Sequence, residues 1–383
     1  MSKIVMIGGG FAALAAAEEI VKNNDGSFEL TLISRSRNLF LYPALVPYVF
    51  GSFDREDLTV DIAPTLAERN IRFLIGEVTR IDAATNTVAY AGHEGEEQVR
   101  YDLLLIATGR QLVVGSVPGS SEYADHLLDT DAADKLRARI HDFRTGSIVV
   151  GLSPGSNLPI PVCEAALAFA ERFASEIGNG SVSVTAVFPQ TLDDAFQGAN
   201  LFRDLPNEFK RKGITLRENY RVERVLQKKI LDADDNAIPS DLTMLIPPFK
   251  GRMNIAGLDR HVDADGFIEV DENLRVKDLN RIYAAGDIIA LAGPRFGYMA
   301  LRQGKIAGRN LLRAALGEEP AEVYEHSIAW AIGERYTGSI FFHYGFWDES
   351  LDDFDEEVLF GLVKPIRGKY GHIKGFGTSL AVP

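Results

Sequence analysis

The chain has 383 residues, a formal net charge of −14 and a single cysteine, Cys163. That length allows two or three domains, and the acidic balance argues against a general nucleic-acid role. One thiol excludes an intrachain disulfide and a thiolate-rich metal site, and no metal ligand set is expected. No apolar run approaches the roughly 18 residues that a membrane span needs. Three glycines interrupt the apolar N-terminus and Lys3 is its only basic residue, so it reads as a mature cytoplasmic start.

Lys3 to Ile7 is an apolar run with the character of a buried strand. Gly8-Gly9-Gly10-Phe11-Ala12-Ala13 follows, then the good helix formers Leu14 to Ile20. Strand, glycine turn and helix in that order are the fingerprint of a dinucleotide site. Gly8 permits the tight turn, Gly10 lets backbone approach a diphosphate, and Ala13 lets the helix pack on the strand. The diphosphate charge would lie on the helix N-terminus. Phe28 to Ile33 reads as the second strand. Nucleotide folds usually place an acid at its end, for the ribose. Here stand Ser34, whose hydroxyl suits a ribose, and Arg35, within reach of a phosphate; a polar strand end without a ligand fits equally well. The apolar, proline-punctuated stretch Asn38 to Pro47 reads as a loop covering one face of a flat cofactor, or as a plain crossover. Residues 56–69 read as a helix, Ile71 to Ile81 as a strand, and Thr85 to Tyr90 as its hairpin partner. Tyr101 to Arg110 is a buried strand that ends in the small turn Ala107-Thr108-Gly109.

The Gly8 fingerprint, the Ala107-Thr108-Gly109 turn and Ile282-Tyr283-Ala284-Ala285-Gly286-Asp287 together resemble the signature of FAD-dependent pyridine nucleotide-disulfide oxidoreductase-like flavoproteins. Three further stretches make the chain most similar to the sulfide:quinone reductase, flavocytochrome c sulfide dehydrogenase and type II NADH dehydrogenase group. They are Leu32-Ile33-Ser34 with its proline loop, Leu245 to Gly251, and Gly297-Tyr298-Met299 with Gly304-Lys305. The resemblance covers residues 1 to about 315. It implies an α/β fold of two Rossmann-like, three-layer ββα dinucleotide-binding domains plus a small C-terminal α+β segment. An FAD-binding domain would span 1–110 and 241–318, a second Rossmann-like domain 111–240, and the C-terminal segment 319–383. It further implies FAD contacts from Gly8, Gly10, Phe11, Ala12, Ala13, Ser34, Arg35, Pro43, Val78, Ala107, Thr108, Gly109, Arg110, Gly286, Asp287, Tyr298 and Met299. Asp287 would hydrogen-bond the cofactor's ribityl or phosphate groups.

In the second domain Ser147 to Gly151 reads as a strand, but serines replace the second and third glycines of Gly151-Leu152-Ser153-Pro154-Gly155-Ser156. Pro159 and Pro161 delay the helix. The next strand, Val182 to Phe188, ends without an acid for a nicotinamide ribose. Both features point away from NAD(P)H. The catalytic candidates are Glu164, Lys305 and Cys163. By resemblance, Glu164 matches a glutamate near the flavin, where burial would suit it to proton transfer; a capping glutamate in a first helical turn is the plainer reading. Lys305 would neutralise charge on the reduced flavin, or is a solvated helix lysine. The resembled sulfide oxidases use a pair of cysteines, one falling near Leu158 here. Cys163 thus reads as a buried structural residue, or as a lone thiol able to attack the flavin.

Leu201 to Lys212 reads as a helix, Leu242 to Ile246 as a buried strand returning to the flavin domain, and Gly266 to Val270 as a strand. Tyr298 to Leu312 is a long helix. Trp330, Tyr336, Phe341, Phe342, Tyr344, Phe346 and Trp347 read as core, or as an aromatic pocket for a quinone or small substrate. No basic amphipathic helix of useful length follows. The expectation is an FAD-dependent oxidoreductase, cytoplasmic or peripheral to the membrane. It would pass two electrons from a small donor to a quinone or soluble acceptor. An NAD(P)H dehydrogenase (a diaphorase or quinone reductase) and a non-catalytic flavin-bearing subunit are the alternatives. Covalent attachment of FAD and the oligomeric state stay open, a homodimer being compatible with the sequence.

Overall fold

Strand β1 (Ser2–Ile7) is buried over its last four residues and feeds, through the glycine turn, helix α1 (Phe11–Lys22) with Gly10 as its extended N-cap. The structure is a computed structural model that describes residues 1–23, 26–196, 205–252, 255–291, 295 and 297–324. Next come β2 (Phe28–Ser34), the short helix α2 (Leu45–Val49), β3 (Arg72–Ile75) and β4 (Leu103–Ile106). A second segment holds α3 (Thr130–Asp142), β5 (Gly146–Leu152), α4 (Ile160–Arg172), β6 (Val182–Val187), β7 (Ile214–Arg217) and β8 (Leu242–Ile246). The described chain closes with β9 (Ile282–Ala284) and α5 (Gly297–Ala315).

The first sheet is parallel throughout, in the order β9-β4-β1-β2-β3. Ile4 stands between Leu30 and Leu103, and the strands are near-continuous apolar runs because both faces are covered. α1 and α5 cover one face, and the antiparallel strands 77–82, 87–92 and 95–100 add the third layer. The second sheet is also parallel, in the order β7-β6-β5-β8. A short antiparallel pair, 111–112 with 249–250, carries the chain between the two sheets. This is the two-Rossmann α/β architecture that the sequence resemblance implies. Among the described residues no helix is long and apolar enough to cross a membrane.

Several local expectations are corrected. Residues 56–69 do not form one helix: Thr59–Asp61 pairs antiparallel with Asn38–Phe40, between a short turn of helix and Ala63–Glu68. The proline stretch is therefore ordered into a strand, a helical turn at Tyr42–Ala44 and α2. The strand expected from Ile71 to Ile81 is two strands in different sheets, broken at Gly76. A Cβ there would lie 2.5 Å from the Tyr90 ring and 2.6 Å from the Ala91 carbonyl, so only glycine lets the chain cross. Leu242–Ile246 does not return to the first sheet but pairs with β5 as an edge of the second. A fully buried apolar strand reads alike in either sheet. Residues 266–270 form isolated bridges, Ile268 with Val262 and Ile289 and Val270 with Val276, instead of a strand. The helix expected from Leu201 begins among the described residues at Leu205 and runs to Arg211. Residues 201–204, the aromatic residues Trp330 to Trp347 and the tail beyond lie outside the described residues, and the C-terminal segment is described only to Tyr324.

α5 sits closely on α1. A Cβ on Gly304 would stand 2.2 Å from the Ala12 carbonyl oxygen, and one on Gly308 2.8 Å from that of Ala16. Alanine normally favours a helix interior over glycine by about 1 kcal/mol. Here Gly304→Ala should reverse that sign and destabilise by about 1–3 kcal/mol through overpacking, read as a lower denaturation midpoint. A second expectation concerns alkaline pH. Burial pushes the phenols of Tyr90, Tyr101 and Tyr283 from 10.0 up to about 12. The folded chain then holds these protons more tightly than the unfolded one. Their contribution is complete below pH 10 and is lost as pH climbs from 10 towards about 12, which an alkaline unfolding series should register.

Candidate functional site

The strand order of the first sheet reverses between β1 and β4, and ligands of open α/β sheets bind outside the carboxyl ends of the strands at such a point. Both turns there are backbone-to-backbone. Gly8 has φ +116° and donates its N–H to the Ile33 carbonyl at 2.8 Å; a Cβ on it would lie 2.2 Å from the Ala107 carbonyl oxygen. A Cβ on Gly9 would meet the Ser34 hydroxyl at 2.9 Å, whereas one on Gly10 would meet nothing within 4 Å. Gly10 thus faces open space at the start of α1. That space is a groove with two lobes of about 220 and 160 Å3, which share Gly10, Phe11, Tyr42, Ala107, Gly109, Arg110 and Asp287. The first lobe runs past Ser34, Arg35, Gly76, Glu77 and Val78; the second runs past Pro43, Gly286 and Gly297 into the second domain.

The groove is rich in guanidinium groups for a chain so acidic. Arg110 lies over the Phe249 ring at 3.6 Å, and its Nε meets the Asp287 carboxylate at 3.3 Å. Its buried Nη1 has no hydrogen-bond partner, nor has the buried Thr108 hydroxyl nearby. Arg252 donates from Nε to the Thr108 carbonyl at 3.0 Å, and burial together with Arg35 pushes its pKa down. Arg295 is 9% exposed, lies over Phe267, and donates to the carbonyls of Asp287 (2.9 Å) and Ile289 (3.0 Å). Its Nε has no partner, and burial lowers its pKa too. Buried donors without acceptors are costly, and cations driven together call for an anion between them. An adenine dinucleotide with a diphosphate meets both requirements, and the unobstructed approach at Gly10 gives it room. The residues present therefore fit FAD. The diphosphate would lie at the α1 N-terminus with Arg110 and Thr108, and the flavin in the second lobe beside Gly286 and Asp287.

Of the residues expected from sequence, Gly8, Gly10, Phe11, Ala12, Ser34, Arg35, Pro43, Val78, Ala107, Thr108, Gly109, Arg110, Gly286 and Asp287 line the groove. Ala13 and Met299 do not; both turn into the core beneath it. The Tyr298 side chain lies outside the described residues. Glu164 lines the second lobe and is 2% exposed, so it is not a solvated helix-end residue. Lys305 lines neither lobe; at 1.5 Å per residue it stands about 12 Å along α5 from Gly297. Cys163 also lines neither lobe, is completely buried, and has its thiol pKa pushed well up by burial and by Glu164. It is a core residue, since a thiol held neutral is a poor nucleophile. Sequence reading missed Arg252, Arg295 and Gln303. Gln303, on α5, accepts the Gly286 N–H at 2.7 Å and so fixes the turn that carries Asp287. Arg252 directly follows the Leu245–Gly251 stretch, and Arg295 stands just before Gly297; only position beside a motif could have flagged either.

The second lobe is closed by groups from both halves of the chain. α2 is tied to α3 through the Tyr48 hydroxyl, which donates to Asp134, and through Arg55, 2.8 Å from the same carboxylate. Arg137 donates to the carbonyls of Tyr48 (3.0 Å) and Phe53 (3.1 Å). Phe50 meets Phe169 of α4 edge-on. These contacts hold Pro43 and Val46 against the wall formed by Leu127, Leu128, Leu158, Ile160 and Pro161.

The sequence pattern of the pyridine nucleotide-disulphide oxidoreductases matches residues 2–304. A sulfide-quinone reductase of Aquifex aeolicus (strain VF5) is 26% identical over 302 residues, covering 75% of this chain and 68% of its own. An NADH oxidase of Methanocaldococcus jannaschii is 25% identical over 326 residues, covering 81% and 70%. In three dimensions the chain is similar to the crystal structure of the sulfide:quinone oxidoreductase from the hyperthermophilic bacterium Aquifex aeolicus. The TM-score is 0.76 at 24% identity, over 83% of this chain and 78% of that one, a likeness of fold.

Two substitutions test the site. Gly8→Ala combines a left-handed backbone with a clash against a carbonyl and should cost about 2–4 kcal/mol, giving protein that purifies with little or no bound flavin. Cys163→Ala should cost about 1 kcal/mol of stability and leave flavin content unchanged. In the parent, a thiol reagent should label Cys163 only after denaturation, as mass spectrometry would show.

Proposed function

The chain belongs to the pyridine nucleotide-disulphide oxidoreductase family and is an FAD-dependent oxidoreductase, and from that premise we propose that it takes two electrons from a small organic donor and passes them to a quinone or a soluble acceptor. The observation that carries this reading is the two-lobed groove itself. Its first lobe is lined by Ser34, Arg35 and Thr108, groups suited to a ribose and phosphates, and its second is a mainly apolar chamber with Glu164 in its wall. FAD, when bound, supplies the two-electron chemistry. The protein's part is to hold the diphosphate with Arg110 and the α1 N-terminus, to exclude water with the leucines of the second lobe, and to offer Glu164 as a proton acceptor or donor.

The two donors named by the relatives suit this chain poorly. Sulfide oxidation through paired cysteines has no second thiol to use, and Cys163 is sealed in the core. For a nicotinamide dinucleotide, the β5–α4 connection is the wrong shape: Ser153 and Ser156 are buried, and α4 starts only at Ile160 with a proline in its first turn. The purified protein should be yellow, absorbing near about 450 nm. In anaerobic titrations NADH, NADPH and sulfide should each bleach it slowly or not at all. Stoichiometric bleaching by NADH would replace this reading with an NAD(P)H dehydrogenase. Colourless protein that does not take up FAD would end it.

A further inference from the structure

The second lobe has two kinds of wall. One is made of the flavin motifs, Gly10, Phe11 and Asp287 among them; the other comes from the second domain and consists of Leu127, Leu128, Leu158, Ile160, Pro161 and Glu164. Leu128, Leu158 and Ile160 are 4–7% exposed and Glu164 is 2% exposed, so this wall is apolar around one carboxyl group. The path of the β5–α4 connection creates it. Ser153 donates its N–H to the Ile246 carbonyl at 3.0 Å, and Ser156 closes a turn onto the Ser153 carbonyl at 3.0 Å around Gly155 at φ +78°. The connection therefore folds inwards and turns Leu158 and Ile160 towards the flavin lobe. A diphosphate would need open backbone N–H groups at the α4 N-terminus, and Pro161 has none to offer.

We propose that this wall is the donor site, and that it takes a small, uncharged, mainly apolar molecule bearing a hydroxyl group, of which a substituted phenol is the simplest form. This rests on the flavin reading above and narrows its donor. The leucine wall sets the size and the apolar body, since each apolar contact gains by leaving water. Glu164 sets the polar contact. An apolar wall disfavours hydrosulfide, thiolates and phosphates, because an ion taken out of water against hydrocarbon loses its hydration. A carboxyl group has several hydrogen-bonding sites, so it can take a ligand hydroxyl beside its contacts within the protein, and burial of that hydroxyl is tolerated because it is paired. Arg110 and Arg295 also line the lobe, but on its Asp287 side, and their open donors face the side that the cofactor would take in the reading above, away from the leucine wall.

The test uses the FAD-loaded protein under anaerobic conditions, with 4-ethylphenol and ethylbenzene as probes and the flavin absorbance as the signal. Saturable perturbation by 4-ethylphenol is expected. Glu164→Leu should weaken 4-ethylphenol about three- to tenfold, the worth of a buried hydrogen bond, and leave ethylbenzene binding equal or tighter. Leu158→Trp should block both probes while the flavin spectrum remains. Yellow protein that 4-ethylphenol does not perturb would overturn the proposal. So would NADH or sulfide saturating at lower concentration than the phenol, or Glu164→Leu weakening both probes alike. Colourless protein would instead remove the flavin premise, so the two failures are told apart by eye before any titration.

Discussion

The structure depends on how closely two turns approach at the carboxyl edge of the first sheet. Gly8 stands against the carbonyl of Ala107 with no room for a single methyl group. Because β1 and β4 are hydrogen-bonded neighbours that end together, their turns must share that edge, and the groove is what remains between them and α1. A side chain on Gly8 would push the turns apart and remove both the tight approach and the aim of the first helical N–H groups. The rest of the first domain serves this contact. Gly304 and Gly308 let α5 reach the back of α1, and Gln303 reaches over to hold the Gly286 N–H, so the turn carrying Asp287 is fixed to the same body.

Charge is distributed against the average. The chain carries −14 overall, yet Arg35, Arg110, Arg252 and Arg295 converge on one groove. Two of them lie over phenylalanine rings, which support a guanidinium face while leaving its edge free to donate. Holding such groups in a partly buried site is unfavourable without an anion, and burial lowers the pKa of Arg252 and Arg295. Such an arrangement favours a ligand that brings its own negative charge. Asp287, paired with Arg110, offsets part of the excess.

The second domain keeps the parallel sheet of a dinucleotide fold, but its first connection lines the groove beside the first sheet. The proline-rich β5–α4 segment is folded in towards the second lobe, and α2 is fastened to α3 by Tyr48, Asp134, Arg55 and Arg137. The two halves thereby close one chamber between them. Cys163 and Glu164 are adjacent in sequence and have opposite fates, since neighbours on a helix point about 100° apart. One faces the core and the other the chamber.

Much of this was legible in the residues. The glycine fingerprint, the Ala107-Thr108-Gly109 turn and the Gly286-Asp287 turn, which line one groove, were marked in advance, because each depends on local backbone geometry that only small residues permit. The helix of residues 297–315 and the parallel strands followed from apolar period and length. Other features were decided in three dimensions. A buried apolar run such as Leu242–Ile246 looks the same in either sheet, so only pairing with β5 assigned it. Gly76 broke a strand because Tyr90, 14 residues on, occupies the space a side chain would need. Arg252 and Arg295 became groove residues through folding that brings distant segments together, and no local pattern marks a guanidinium for that role. Sequence alone thus determined where the tight turns fall, since backbone permissiveness is a local property. Tertiary structure decided which side chains line the groove between them, since that depends on contacts between residues far apart in the chain.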